Sequence, residues 1–364
     1  MQGKKLILFT GLAVGLFGVL LVFFGNPANM GYCIACFIRD TAGALGLHQA
    51  SVVQYIRPEV IGLVLGATIA ALIGKEFLPR GVSSPVTRFF LGMMVMIAAL
   101  VFLGCPLRMV LRIGGGDMNA VIGLVGFVIG IAAGVFFLKK GFSLKRTYPQ
   151  PILEGVWFPA AQIGLLALLI IAPAFILFSK SGPGAMTAPI WMSLSAGLVG
   201  GVLAQRSRLC FAGGIRDVML FRDWTLLMGF VGVLIAAVIA NLAFGFFDLG
   251  FTNQPIAHTD GLWNLLSMVA VGLGSVMLGG CPLRQLILSG EGNTDSVVTV
   301  LGLFAGAAVA HTFKLASSPS TIVDGIASGG PSMGGKIATI AILVILFVIA
   351  VVNVRKKLLK AKAE

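Results

Sequence analysis

The chain has 364 residues, 58% of them apolar and only 11% charged, with a mean hydropathy of +1.02 and a formal net charge of +13. Soluble domains do not have this composition, so the chain belongs in a bilayer. Its basic residues are spread over alternate loops rather than gathered in one patch, which argues for membrane topology and against a nucleic-acid partner.

Ten apolar stretches approach the roughly 20 residues that a spanning helix needs. The first, 5–24, follows Lys4 and Lys5 and runs apolar to Phe24. It is longer than a signal-peptide core and no A-x-A site follows, so it is expected to stay as a helix. A short segment comes next, with Cys33, Cys36 and the tripeptide Ile38-Arg39-Asp40, then spans at 56–76 and 86–104. The string Gly104-Cys105-Pro106-Leu107-Arg108 interrupts the apolar run there and leads, through Gly114-Gly115-Gly116, to a span at 119–138. Spans at 157–179 and 187–206 precede a second Cys segment with Cys210 and Ile215-Arg216-Asp217. After spans at 223–245 and 262–280 the string recurs as Gly280-Cys281-Pro282-Leu283-Arg284, followed by Gly290-Glu291-Gly292 and spans at 295–314 and 334–354.

The chain is therefore internally duplicated. A shift that lays Cys105 on Cys281 also lays Gly114, Gly116, Gly126 and Gly130 on Gly290, Gly292, Gly302 and Gly306, and a shift one longer lays Cys33 on Cys210 and Arg39-Asp40 on Arg216-Asp217. Five crossings separate the first span from the sixth, so the halves run in opposite senses through the membrane. The expected fold is an all-α polytopic membrane protein with about ten transmembrane helices and four short re-entrant helices, arranged as two inverted repeats around an hourglass waist. Residues 1–140 form the first repeat, 141–186 a linker with one spanning helix, 187–314 the second repeat, and 315–364 an external loop, a last spanning helix and a basic tail. Lys75, Arg80, Arg88, Lys139, Lys140, Lys145, Arg146, Arg355, Lys356, Lys357, Lys360 and Lys362 fall on the side of Lys4 and Lys5. That bias puts both termini in the cytoplasm. It leaves the Cys33 and Cys105 segments entering from outside and those of Cys210 and Cys281 from inside.

The residues at the breaks carry the chemistry. Pro106 and Pro282 have no N–H and disfavour helix in the residue before them, so each opens a short helix whose free N–H groups face a cysteine. Such a helix start favours an anion. Arginine at apolar depth is costly and is paired or functional. Arg108 and Arg284 have no adjacent acid and are assigned to attracting an anion, whereas for Arg39 and Arg216 support of the short helices through Asp40 and Asp217 is an equal alternative. All five cysteines lie in the short segments and none in an ordinary span. Inert, core-filling cysteine would scatter over the spans. A metal site is disfavoured because no histidine stands near any thiol and Gly213 takes the place of Cys36 in the second half; redox use of the Cys33/Cys36 pair stays open. His48, His258 and His311 are isolated in sequence, no acid/base pair is evident, no cofactor is called for, and the glycine clusters lack a Walker lysine. Asp117, Asn119, Asn293 and Asp295 are expected to cap the spans after the short helices.

These two GCPLR strings, the paired Ile-Arg-Asp segments and the duplication resemble the YeeE/YedE sulfur-transport family of bacterial inner-membrane proteins over nearly the whole chain. The segment from Gly25 through Cys33 and Cys36 to Asp40 is similar to the YedE-type branch assigned to selenium transport. The resemblance implies thiosulfate uptake in the wider family, with pore cysteines contacting the ion through S–H···S hydrogen bonds at positions matching Cys33 or Cys210, Cys105 and Cys281. It also implies a cytoplasmic TusA-like sulfur carrier as partner. Cys36 departs from the pattern and opens the choice between thiosulfate and a selenium species, which the branch favours. The resulting expectation is a non-enzymatic importer of a small chalcogen anion, passed from Cys33, Cys36 and Cys105 to Cys281 and Cys210. Two alternatives stay open: a membrane thiol enzyme that builds a persulfide or selenosulfide for a carrier, and a membrane anchor, which needs none of these residues.

Overall fold

The computed structural model describes residues 2–323 and 326–361, with side chains described for 3–321 and 328–354. The expected basic tail lies outside these: from Arg355 its side chains are not described, and Lys362 lies beyond the described residues altogether.

The chain is nearly all helix. In order it forms α1 (Gln2–Phe23), α2 (Ile34–Ala44), α3 (Pro58–Ile73), α4 (Pro85–Phe102), α5 (Pro106–Gly114), α6 (Met118–Lys139), α7 (Ile152–Ile171), α8 (Ile190–Ser207), α9 (Phe211–Phe221), α10 (Thr225–Phe244), α11 (Gly261–Leu278), α12 (Pro282–Gly290), α13 (Thr294–Thr312) and α14 (Met333–Ala361). Two small antiparallel ribbons complete it: β1 (Arg80–Gly81) with β2 (Tyr148–Pro149), and β3 (Ser318–Val323) with β4 (Ile326–Gly330). Among the described residues, eight helical segments are long and apolar enough to cross a membrane. The spans expected at 56–76 and 187–206 are α3 and α8, which fall outside that set. Pro58 and Gly74 trim α3 to 16 residues, and polar residues from Ser193 to Ser207 dilute α8.

The short helices form as their sequences dictate. Leu103, in the left-handed conformation, ends α4, and Gly279 with φ +83° ends α11. Pro106 and Pro282 then occupy the first turns of α5 and α12, with Cys105 and Cys281 at the N-caps. Gly116 (φ +97°) and Gly292 (φ +86°) turn the chain out of these helices in a conformation that a side chain would strain. Asp117 and Asn293 cap α6 and α13 by accepting the backbone N–H groups of Asn119 and Ser296; Asn119 and Asp295 follow the caps rather than forming them.

Four long-helix pairs make the body: α1 with α10, α3 with α8, α4 with α13, and α6 with α11. Glycines let the backbones touch, with Gly11 against Gly229, Gly66 against Leu198, Gly302 against Phe89 and Gly126 against Leu265. Contacts advance together along both partners, Gly11 then Gly15 meeting Gly229 then Val233, so the paired helices run parallel. Under the sequence correspondence α1 maps to α8, α3 to α10, α4 to α11 and α6 to α13, and this exchange turns the set of pairs into itself. The end of α1 meets the starts of α3 and α8, since Asn26 donates to Glu59 and accepts from the Ala188 amide. Helix α1 is thus antiparallel to both. The segments 85–114 and 261–290 form the centre, 89% and 78% buried over their apolar windows, whereas α7 and α14 lie at the periphery with 28% and 22%.

Loops gather at two ends. At one, Arg57 donates to Met186 and Pro183 carbonyls, Arg108 to Ile256, and Ser317 to Leu100. At the other, β1 pairs with β2 and Asp223 lies close enough to Lys4 to feel its charge.

Candidate functional site

The five cysteines are free and buried, and they gather in two groups. At the end where α1 and α4 finish, Cys33 caps α2 by accepting the Cys36 amide at 3.2 Å, and the Cys33 and Cys36 sulfurs stand 2.6 Å apart. Cys105 faces Cys33 closely enough for the thiols to interact. At the end where α8 and α11 finish, Cys210 caps α9 by accepting the Gly213 amide, again at 3.2 Å, and its sulfur lies 3.8 Å from that of Cys281. The groups match position for position, except that Gly213 replaces the third thiol.

The sequence-matched arginines do not share one environment. Arg39 spends Nε and Nη2 on Asp40 at 2.9 and 2.7 Å, and Arg216 pairs with Asp217 at 2.8 Å. Their supporting role, one of two alternatives, is the one the geometry displays. Arg284 is paired as well: Glu291, beyond the end of α12, accepts from it at 3.1 Å. Reading only adjacent residues missed this partner: Glu291 is the C-cap of α12, seven residues or two helical turns after Arg284, and so on the same face.

Arg108 differs. It is fully buried and, among the described residues, makes no ion pair. Its guanidinium donates to the carbonyls of Leu103, Asn29 (3.2 Å), Pro255 (3.4 Å) and Ile256 (3.1 Å), and Nη1 lies 3.7 Å from the Cys36 sulfur. Carbonyl dipoles solvate the cation without cancelling its charge. A buried charge with no counter-ion is expensive, and three thiols at two helix starts surround this one. The arrangement suits a small, polarizable anion: positive field from Arg108 and helix starts, and weak S–H donors in place of a tight oxyanion cage. Among the described residues, no group of three or more His, Cys, Asp or Glu is arranged to hold a metal ion.

Other buried charges escaped the sequence reading. Arg57 joins Arg39 on Asp40 and stacks over Phe37, and Arg112 pairs with Asp117 at 2.6 Å and lies over Phe102. Arg112 stands four residues after Arg108, one helical turn along the same face, a spacing that the sequence displayed. Glu59 is buried without a cation. His48 and His311, isolated in sequence, stack with ring centroids 4.6 Å apart. In the loop before α11, burial lowers the His258 imidazole to about 4, so it is neutral near pH 7 and adds no charge to the Arg108 group.

Comparison with known proteins agrees with this chemistry. Residues 206–364 match the family model described as Sulphur transport. A relative named thiosulfate transporter TsuA, from Spirochaeta thermophila, is 32% identical over 118 residues, 32% of this chain and 35% of that protein. The matched stretch thus spans about a third of that relative's length.

Proposed function

We propose that this multi-pass membrane chain, whose second half carries the pattern, belongs to the YeeE/YedE sulfur-transport family and imports a small sulfur-containing anion of the thiosulfate class. One observation carries the reading: the fully buried, carboxylate-free Arg108 beside Cys33, Cys36 and Cys105. The anion enters at this outer station and leaves through the inner one, Cys281 and Cys210. Thiols donate weakly, so each station holds the ion without trapping it, as conduction demands.

The geometry supports an order between the stations. Position for position, the outer one has Arg108 unpaired and a third thiol, while the inner one has Arg284 offset by Glu291 and Gly213 in place of Cys36. Attraction is therefore stronger where the anion arrives and weaker where it departs. We place the two halves as inverted repeats with both termini cytoplasmic in a bacterial inner membrane; the exchange of helix pairs and the gathering of lysines and arginines at the inner end support this. A TusA-like carrier at the inner mouth follows from the family resemblance.

Cys36 favours a second reading. A third thiol in direct contact with Cys33 at the entrance suits a selenium oxyanion, which reacts with thiols more readily than thiosulfate does. Proteoliposome uptake of labelled thiosulfate, selenite and sulfate tests both. Thiosulfate or selenite uptake well above that of sulfate supports transport, and equal, leak-level entry of all three refutes it. A chalcogen adduct on Cys33 or Cys36 without net uptake would favour the enzyme alternative.

A further inference from the structure

The described buried acids have cationic partners, with one exception. Asp40 holds Arg39 and Arg57, Asp117 holds Arg112, and Asp295 lies 3.6 Å from Arg88. Glu59, in the first turn of α3 and 1% exposed, has no cationic partner among the described residues. Its Oε1 accepts from Asn26 Nδ2 at 2.7 Å and from the Ser193 hydroxyl at 2.8 Å, while Oε2 is buried with no hydrogen-bond partner. Its second oxygen is thus a buried acceptor facing no donor, at a depth where an unpartnered polar atom is costly.

Its position matters as much as its isolation. Glu59 lies where the end of α1 and the starts of α3 and α8 meet, and neither α1 nor α8 brings a charge to it: they contribute Asn26 and Ser193. The titratable side chains near enough to sense it are Tyr32 and Tyr55. Tyr32 immediately precedes Cys33 and donates to the Ala196 carbonyl on α8. Arg57, two residues before Glu59, is committed to Asp40 and to the carbonyls of Met186 and Pro183. Helix α10, which takes the place of α3 in the second half, has no acidic residue, so the feature belongs to one half only.

We propose that Glu59 is a proton site coupled to the anion path, so that the protein works as a proton–anion symporter. The proposal rests on the transport reading above. An inside-negative potential opposes a dianion on the order of a thousandfold per 100 mV; one co-transported proton lowers the charge carried from two to one, cutting that opposition to on the order of fiftyfold and adding the pH gradient as a driving force. The step is a simple exchange: Glu59 takes one proton from the outer side while the anion occupies the Cys33 and Arg108 station, and gives it to the cytoplasmic side after the anion has moved on.

The test is uptake of labelled thiosulfate into proteoliposomes with an imposed inside-alkaline gradient, for wild type and Glu59→Gln, an isosteric change that keeps an acceptor for Asn26 and Ser193. Thiosulfate counterflow without a gradient reports folding and the anion path. The expected result is wild-type uptake accelerated toward about tenfold per pH unit, the limit for one proton, with that acceleration lost in Glu59→Gln while counterflow persists. Wild-type uptake indifferent to the gradient overturns the proposal, as does stimulation by sodium alone or a Glu59→Gln variant still driven by the gradient. If Glu59→Gln does not fold, proton entry measured with a trapped pH dye during wild-type uptake decides. Absence of both uptake and counterflow in wild type refutes the transport reading itself, a distinct outcome.

Discussion

Replacing Arg108 with glutamine removes the buried cation while keeping a polar side chain able to donate to some of the carbonyls it serves. An anion held by Cys33, Cys36 and Cys105 sits on the order of 5 Å from the guanidinium, given the 3.7 Å between Nη1 and the Cys36 sulfur. At an effective dielectric near 20 this is roughly 3 kcal/mol for each unit of anion charge, or on the order of a hundredfold in apparent affinity. Leaving some of the carbonyls of Leu103, Asn29, Pro255 and Ile256 unmet adds a stability loss of about 1–3 kcal/mol. Arg108→Lys separates the two effects, because it keeps the charge and loses the fork. The assay is thiosulfate uptake against concentration in proteoliposomes, with thermal melting in detergent as the stability readout. Because thiosulfate carries two charges, Arg108→Gln should raise KM by at least about a hundredfold, and Arg108→Lys by no more than about tenfold. Arg284→Gln should raise it less than Arg108→Gln, since Glu291 already offsets that charge. A folded Arg108→Gln protein with wild-type KM would refute the electrostatic argument.

Three further outcomes follow. Glu291→Gln frees Arg284, so the inner station should hold the anion more tightly and turnover should fall by about tenfold; unchanged or faster turnover counts against the proposed order of the stations. Cys36→Gly, which copies Gly213, should leave thiosulfate uptake within about threefold while lowering the selenite-to-thiosulfate ratio, measured by competitive uptake; an unchanged ratio removes the reason for the selenium reading. Gly116→Ala places a side chain at φ +97° and its Cβ against the backbone of Asp248 and Leu249, so by thermal melting it should destabilise the protein by at least about 2 kcal/mol. Equal stability would show that the turn out of α5 relaxes.

The helical breaks were legible because their cause is local. Proline after cysteine within an apolar run ends one helix and starts another whatever surrounds it, and Cys105-Pro106 and Cys281-Pro282 behave alike. Long helices were legible from apolar length, apart from the ends of α3, which Pro58 and Gly74 move inward, and those of α7, which runs Ile152–Ile171 rather than 157–179 because Pro173 opens a separate turn. Partnership was not legible, because it depends on how the halves interlock. Helix α1 packs against α10 rather than against a neighbour in the chain, and Glu59 finds Ser193 134 residues away. The charge balance at each station was written at a longer spacing than adjacency: Glu291 stands two helical turns after Arg284 on the same face, while at Arg108 the corresponding Gly115 offers no acid. Arg57, inside the span expected at 56–76, drew no reading from the sequence and is fully buried.

The central claim is that Cys105 and Cys281 are successive thiol stations on one anion path. Uptake of labelled thiosulfate by purified, reconstituted Cys105→Ala and Cys281→Ala, compared with wild type at equal protein incorporation, tests it most directly. The account predicts that each single variant loses most of the uptake, because removal of either station interrupts the path. Wild-type rates in both variants would contradict it.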